Sequence, residues 1–334
     1  MAIILGIEST AHTLGVALVK NGKVLANVRK AYTTEKGGII PMEAAKHHGE
    51  NKEFVYQDAL EKSGIKEGEI DAIAISQGPG LAPCLLVGMS FAKELARKLR
   101  KPIVPVNHCI AHLEIGRLTG AKDPVMLYAS GANTQIIAYA SGKFRVFGET
   151  LDIGIGNFID KIARHMGLGF PGGPKIEQLA ANAEEKDIVE LPYSIKGMDI
   201  SFSGLQTKLQ QIYNKEKDKN KTKEKLSFSL QETAFAMLTE VSERALAHTG
   251  KKELLLGGGV ACNKRLQEMC KIMCEERGAR FFCPSNDLLT DNAAMIAFLG
   301  EIMFKSGAMI KGREIGNLDI KPMQRTDGVE VTWR

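Results

Sequence analysis

The chain has 334 residues, 44% hydrophobic and 25% charged. That length suits about two domains of ~150 residues, and the composition excludes a mainly disordered chain. The net charge of +5 and isoelectric point near 8.7 are too small an excess to announce a nucleic-acid partner and too basic to exclude one.

No apolar run approaches the ~20 residues of a membrane span. The opening Met1-Ala-Ile-Ile-Leu-Gly6 has no basic leader and reads as a first strand, so a cytoplasmic protein is expected. Six cysteines occur, at 84, 109, 262, 270, 274 and 283, with no C-x-x-C pair. They read as reduced thiols, with Cys270 and Cys274 as small apolar residues one helical turn apart.

In chain order, residues 3–7 read as a strand and Glu8-Ser-Thr-Ala-His12 as a polar turn. A strand at 15–19, an Asn21-Gly22 hairpin and a strand at 23–28 follow. Residues 43–63 carry apolar positions at helical spacing. Residues 71–75 form a buried strand, Gln77-Gly-Pro-Gly-Leu81 a sharp turn, 87–99 a helix and 102–106 a strand. The pattern then restarts: strand 125–129, polar turn Ser130-Gly-Ala-Asn-Thr134, strand 135–139, hairpin Ser141-Gly142, strand 143–147. Ser9 precedes Ser130 by 121 positions and Gly22 precedes Gly142 by 120, so the two hairpins superpose within one residue. Such a repeat points to a duplicated domain.

The second half continues with a helix at 156–166, a glycine- and proline-rich loop at 167–174 and a helix at 175–183. Residues 214–225 are nearly all charged and read as a solvated surface segment, with an RNA-facing surface as the alternative. A long amphipathic helix at 226–249 leads to a strand at 253–256 and to Gly257-Gly-Gly-Val-Ala-Cys-Asn263. A helix at 264–277, a short strand at 281–282 and a last helix at 290–304 close the chain. Strands alternating with helices give an α/β architecture.

Four constellations can carry chemistry. His108-Cys-Ile-Ala-His112 places two imidazoles on one helix face, where they can share a cation or simply pack. A zincin protease needs a glutamate right after the first histidine, and Cys109 stands there. Gly257-Gly-Gly-Val-Ala-Cys-Asn263 allows close backbone approach and a helix start that can face an anion, or is a plain tight turn. Gly169-Phe-Pro-Gly-Gly-Pro174 fixes a loop after which Glu177, one turn on, suits ribose hydroxyls, or is an ordinary connection. In Ser285-Asn-Asp-Leu-Leu-Thr-Asp291, Thr290 is the expected cap of the last helix. Asp291 either complements the helix dipole or serves as a ligand.

These segments occur in a fixed order with Glu8-Ser-Thr-Ala-His12, Gln77-Gly-Pro-Gly-Leu81, Tyr128-Ala-Ser-Gly-Ala132 and Thr290-Asp-Asn-Ala-Ala-Met295. Together they resemble the universal tRNA threonylcarbamoyladenosine transferase family, whose archaeal and eukaryotic members are the catalytic subunit of the KEOPS complex. Bacterial members are called TsaD, and an older name was O-sialoglycoprotein endopeptidase. The resemblance covers nearly the whole chain. It implies two similar α/β domains of the actin/sugar kinase/heat-shock-protein-70-like fold with a ligand cleft between them. We expect these at 1–122 and 123–334, the second with a helical insertion and the final helix free to pack back on the first.

The resemblance further implies a metal, iron or zinc, on His108, His112 and Asp291, with Tyr128 as a fourth ligand in archaeal-like members. It places threonylcarbamoyl-adenylate on Tyr128, Ala129, Ser130, Gly131, Ala132, Asp160, Gly173, Glu177 and Asn263, with Asp160 and Glu177 on the ribose. The implied reaction is acyl transfer to the exocyclic amine of adenosine 37, in tRNAs reading codons that start with A. Backbone N–H groups at 130–132 would steady developing negative charge. No residue declares itself the general base; His12 is the candidate.

Implied partners are tRNA, an atypical kinase as a separate chain, the small KEOPS subunits and a separate synthase supplying the adenylate. The lysine-rich segment at 214–225 is longer than the family leads one to expect and receives no role. Rival readings are a kinase or ATPase of the same fold, a metalloprotease and a nucleotide-gated scaffold.

Overall fold

Two apolar strand sets build two sheets of one design. The structure is a computed structural model describing residues 2–34 and 38–334, so Met1 of the expected first strand lies outside it. β1 (Ile3–Glu8), β2 (Thr13–Lys20) and β3 (Lys23–Ala31) form an antiparallel meander. After α1 (Pro41–Ser63), β4 (Ala72–Gly78) returns parallel to β1. α2 (Ala82–Leu99) crosses over, β5 (Ile103–Asn107) lies parallel to β4, and α3 (His108–Ile115) leaves β5 directly.

The second set begins with the meander β6 (Val125–Ala129), β7 (Thr134–Ala140) and β8 (Lys143–Glu149). Between this and the return strand come α4 (Ile155–His165), α5 (Gly173–Ala180), the two-stranded ribbon β9 (Ile195–Lys196) and β10 (Asp199–Ile200), α6 (Ser203–Lys215) and α7 (Lys219–Thr249). β11 (Glu253–Gly257) lies parallel to β6, and after α8 (Lys264–Glu276), β12 (Arg280–Phe282) lies parallel to β11. α9 (Asn286–Leu289) and α10 (Ala293–Lys305) follow.

The sheet orders are β3-β2-β1-β4-β5 and β12-β11-β6-β7-β8, the second being the first read backwards, position for position. The likeness reaches the turns. Asn21 and Gly22 have φ of 52° and 71°, Ser141 and Gly142 of 51° and 77°, the doubly left-handed turn that suits a two-residue hairpin. Each hairpin also has one bulge in its outer pair, between Leu18 and Val19 and between Ile136 and Ile137.

Alternation along the strands sorts the core into layers. Ile3, Leu5 and Ile7 of β1 pack with Val55, Tyr56, Phe91 and Leu95 of α1 and α2. Val125 and Leu127 of β6 pack with Phe158, Phe202, Leu230 and Phe235. The opposite faces meet in a shared core: Ile4 and Ala74 from the first sheet, Met126, Tyr128 and Leu255 from the second, with α3 and α10 between. β1 and β6 are buried on both faces, which explains their near-continuous apolar sequence. α10 packs on β1, β2 and β4, although it follows the last strand of the second sheet.

Several boundaries differ from the sequence reading. α2 starts five residues early, because Pro83 fits a first turn, where its missing N–H has no partner to lose. α7 starts at Lys219 instead of 226: Asp218 caps it by accepting from the Lys221 N–H at 3.2 Å. The second half of the charged segment is therefore helix, with Thr222 and Leu226 buried beneath the lysines. α10 starts at Ala293 instead of 290, for the reason given below.

Candidate active site

The site is assembled by two helix caps. Asn107 ends β5, and its side chain accepts from the Ile110 N–H at 3.0 Å, so α3 begins on the next residue. His108 and His112 then share one face, with ring centroids 4.8 Å apart and planes at 81°. Asp291 lies between α9 and α10. The cap of α10 is Asn292, not Thr290 as the sequence suggested. Its side chain accepts from Met295 N–H at 3.0 Å and donates to the carbonyls of Leu288 and Thr290 at 3.1 and 2.8 Å. The Thr290 hydroxyl instead accepts from the Arg29 guanidinium and donates to the Asn286 carbonyl. The chain on both sides of Asp291 is thus fixed by one buried amide.

Asp291 Oδ1 lies 3.4 Å from His108 Nε2 and 3.5 Å from His112 Nε2. These separations are long for hydrogen bonds. They equal the edge of a tetrahedron whose centre sits about 2.1 Å from each corner, the usual metal–ligand distance. One ligand atom from each of the three residues lies within 4.8 Å of the others. Both ring nitrogens of His112 are buried with no hydrogen-bond partner among the described residues. An orphaned buried imidazole is costly, and a cation accepting the lone pair of Nε2 removes part of that cost. The residues present therefore fit a metal ion.

The surroundings tune these ligands. His108 Nδ1 lies 3.0 Å from Glu8 Oε2, which leaves Nε2 directed to Asp291. Such a carboxylate–imidazole contact fixes ring orientation and tautomer in metal centres. Thr10 in turn grips Glu8, its N–H at 2.7 Å and its hydroxyl at 2.5 Å from Oε1. Burial opposes protonation of His108, but Glu8 and Asp291 outweigh it and raise its pKa well above the usual imidazole value. Burial alone would raise the Asp291 carboxyl; contact with the two histidines holds it well below the carboxylate range. Burial lowers the pKa of His112 and raises that of Tyr128. The fully buried Tyr128 ring packs on His112 with centroids 5.0 Å apart.

Beyond Tyr128 the chain makes the polar loop at 130–133. Its carbonyls start α4: Gly156 N–H donates to Ser130 and Asn157 N–H to Gly131. Gly258, with φ of 89°, brings the β11 turn against this loop; a Cβ there would meet the Ala129 carbonyl oxygen at 2.4 Å. The two glycine-bearing segments are thus in direct backbone contact. Ser130 N–H donates to the Asn133 carbonyl. It is not available to steady negative charge, contrary to the sequence reading, which leaves the N–H groups of Gly131 and Ala132.

The other expected ligand residues already have structural work. Asp160 accepts from the Gly172 N–H at 2.7 Å and so ties the loop before Gly173 to α4, while burial raises its pKa. Glu177 accepts from the Lys264 N–H at 2.8 Å, joining α5 to the start of α8. Asn263 caps α8 through Arg265 and Leu266 N–H, and its amide donates to Gln231 at 2.6 Å. His12 lies edge-on to Phe170, centroids 6.2 Å apart, so the first polar turn meets the loop of the second half. Sequence reasoning missed Glu8 and Thr10 as individual residues. The available signal was a carboxylate ending an otherwise apolar, fully buried strand.

Two five-stranded sheets of one topology, facing each other across α3 and α10, define the actin/sugar kinase/heat-shock-protein-70-like class. Solved structures agree. HypF in its phosphate- and nucleotide-bound form superposes with a TM-score of 0.61 over 90% of this chain and 56% of its own, at 13% identity. Component A of (R)-2-hydroxyglutaryl-CoA dehydratase from Acidaminococcus fermentans gives 0.54 over 90% and 97%, at 12% identity. At such identities the likeness concerns the fold alone.

Within that class the sequence is specific. The TsaD family model, described as tRNA N6-adenosine threonylcarbamoyltransferase, matches residues 23–298. A relative of that name from Thermococcus kodakarensis is 55% identical over 331 residues, 99% of each chain. One from Archaeoglobus fulgidus is 51% identical over 332 residues, 99% of each. A Methanosarcina mazei protein named as a probable bifunctional tRNA threonylcarbamoyladenosine biosynthesis protein is 52% identical over 334 residues, 99% of this chain and 59% of its own. The chain belongs to the tRNA N6-adenosine threonylcarbamoyltransferase family and is a transferase that modifies tRNA. No helix among the described residues is long and apolar enough to cross a membrane.

Proposed function

We propose that the chain transfers a threonylcarbamoyl group from threonylcarbamoyl-AMP to the N6 amine of adenosine 37, in tRNAs reading codons that start with A. We further propose that it does so in the cytoplasm as the catalytic subunit of a KEOPS complex. Its partners there would be a separate atypical kinase chain and small subunits, with the adenylate coming from a separate synthase. The observation that carries this reading is the His108–His112–Asp291 cluster, its two histidines buried and one imidazole orphaned, set against the polar loop that follows Tyr128.

In the transfer, the adenosine N6 bonds to the carbamoyl carbon, the bond from that carbon to the phosphate oxygen breaks, AMP leaves and N6 gives up a proton. Iron or zinc on His108, His112 and Asp291, with Tyr128 as a fourth ligand, would supply Lewis acidity toward the oxygens of the bound adenylate. Glu8 holds His108 so that its Nε2 is free to act as a ligand. The Gly131 and Ala132 N–H groups steady charge developing on the acyl oxygen. Asp160 and Glu177 each keep one carboxylate oxygen for a ribose hydroxyl. Ala129, Ser130 and Gly173 shape the walls of the cleft, and Asn263 sets the turn that lies along the adenine. The general-base candidate is His12, beside Phe170, which would accept the N6 proton.

The test is transfer of labelled threonine to tRNA in a mixture with synthase, ATP, bicarbonate and partner chains, beside His108→Ala/His112→Ala, with bound metal measured on both. Label and metal in the unmodified chain only is the expected result. Full label in the double variant overturns the metal-assisted reading. Absence of label from both, with a control enzyme active in the same mixture, overturns the transfer itself.

A further inference from the structure

The first polar turn, residues 9–12, is held from outside by three elements. The Leu81 N–H donates to the Thr10 carbonyl at 2.8 Å, and the Tyr32 N–H to the His12 carbonyl at 2.8 Å. Between them the Ala11 carbonyl meets His48 Nε2 at 3.1 Å. Two of these clamps are backbone groups that any sequence supplies; the third depends on one side chain.

His48 is an unusual residue for its place. It lies on the buried face of α1 with Ala44, Ala45, Val55, Tyr56 and Ala59, and is itself fully buried. An imidazole in such a face is unfavourable unless its nitrogens are used. Both are. A carbonyl can only accept, so Nε2 carries the proton and Nδ1 offers a lone pair. Nδ1 lies 3.3 Å from His47 Nδ1, which then donates to it. The half-buried His47 stands edge-on to Tyr32, centroids 6.1 Å apart, and Tyr32 is itself the clamp on His12. The contacts close a ring: Tyr32, His47, His48, Ala11, His12 and back to Tyr32.

What this ring encloses matters for the site. Thr10, next to Ala11, grips Glu8, and Glu8 orients His108. His12, on the other side of Ala11, faces Phe170. We propose that His48 is a positioning residue for the transfer, its Nε2–H setting the Ala11 carbonyl and thereby the placement of Thr10 and His12 at the cleft. It acts through that carbonyl. The proposal rests on the reading of the cleft as the site of transfer.

The experiment compares His48→Leu, which removes the donor, with His48→Gln, whose amide N–H can replace it. The assay is single-turnover and steady-state transfer from threonylcarbamoyl-AMP to tRNA, in the complete complex. A misplacement of about 1 Å at a reacting group lowers rates by about 10²-fold. His48→Leu is therefore expected to lose about 10- to 100-fold in kcat, with KM for tRNA and bound metal within about threefold of the unmodified chain. His48→Gln is expected to recover most of the rate. Nitrogen NMR on the unmodified chain should show His48 neutral with its proton on Nε2. Unchanged kcat in His48→Leu, a His48→Gln as impaired as His48→Leu, or a proton on Nδ1 overturns the proposal. If His48→Leu fails to fold, the His48→Gln rate and the NMR tautomer decide it. The unmodified chain and His108→Ala run alongside: an inactive unmodified chain counts against the transfer reading, not against the role of His48.

Discussion

Replacing Arg334 with methionine tests whether the buried pair behind α3 carries weight. Glu114, on α3 two residues after His112, is fully buried. Its Oε1 takes Arg334 Nε at 2.9 Å and Nη2 at 2.8 Å, while Oε2 takes Arg117 at 3.2 Å. The Arg334 side chain is only 13% exposed, and its guanidinium lies over Tyr139 and Phe144 at 4.7 and 5.2 Å. Removing one partner of a buried pair costs about 3–5 kcal/mol, because the other charge is left uncompensated. Arg117 remains, 44% exposed and so partly screened, and methionine keeps some packing on the rings. We therefore expect a loss of about 2–3 kcal/mol. The measurement is urea unfolding of Arg334→Met, Glu114→Gln and the double variant. The double variant should be more stable than the sum of the singles predicts, by about 1–3 kcal/mol, because the one charge it leaves unpaired, Arg117, is half-exposed and screened. A loss below about 1 kcal/mol in Arg334→Met, or purely additive effects, would refute the reasoning.

Two further outcomes follow from buried groups. Asn292→Ala removes the α10 cap and both tethers beside Asp291, and is expected to cost about 2 kcal/mol and to weaken metal binding, whereas Thr290→Ala should cost under about 1 kcal/mol; equal losses in thermal unfolding would restore Thr290 as the cap. Burial, then His47, lowers the pKa of His48 to about 4. The unfolded chain takes up this proton near pH 6.5 while the folded chain resists it, so stability is complete above pH 6.5 and falls as pH drops towards 4. The contribution is about 3 kcal/mol. Denaturant midpoints against pH should lose that part of their slope in His48→Gln, and an unchanged slope speaks against the assigned shift.

The sequence revealed most of the scaffold, because strand alternation, hairpin turns and the offset of 120 residues are local signals. His108 and His112 were legible for the same reason: one helical turn separates them. Asp291 was legible as a ligand only through the family resemblance, since a carboxylate before a helix satisfies a structural role equally well; the fold is what brings it to histidines 183 and 179 positions earlier. Thr290 and Asn292 are both competent caps, and Arg29, from a distant strand, helps decide between them by engaging the threonine. Alternating lysines at 215–225 concealed a helix start because the residues that anchor it, Asp218 and Leu226, are few among many solvated charges. His48 drew no attention in the sequence, because nothing local shows which of two neighbouring histidines is buried.

The place of Asp291 in the chain gives a cation there a role beyond chemistry. An ion held by His108 and Asp291 is a cross-link that closes a loop of about 183 residues. For a covalent bridge over that span, chain-entropy reasoning gives about 5 kcal/mol, taken from the freedom of the unfolded chain. The ion would therefore restrict the denatured ensemble as well as serve the cleft. Its loss would remove one tie between α3 and the turn before α10, leaving their direct packing in the shared core to hold them. Catalytic competence and resistance to unfolding would then depend on the same few ligand bonds.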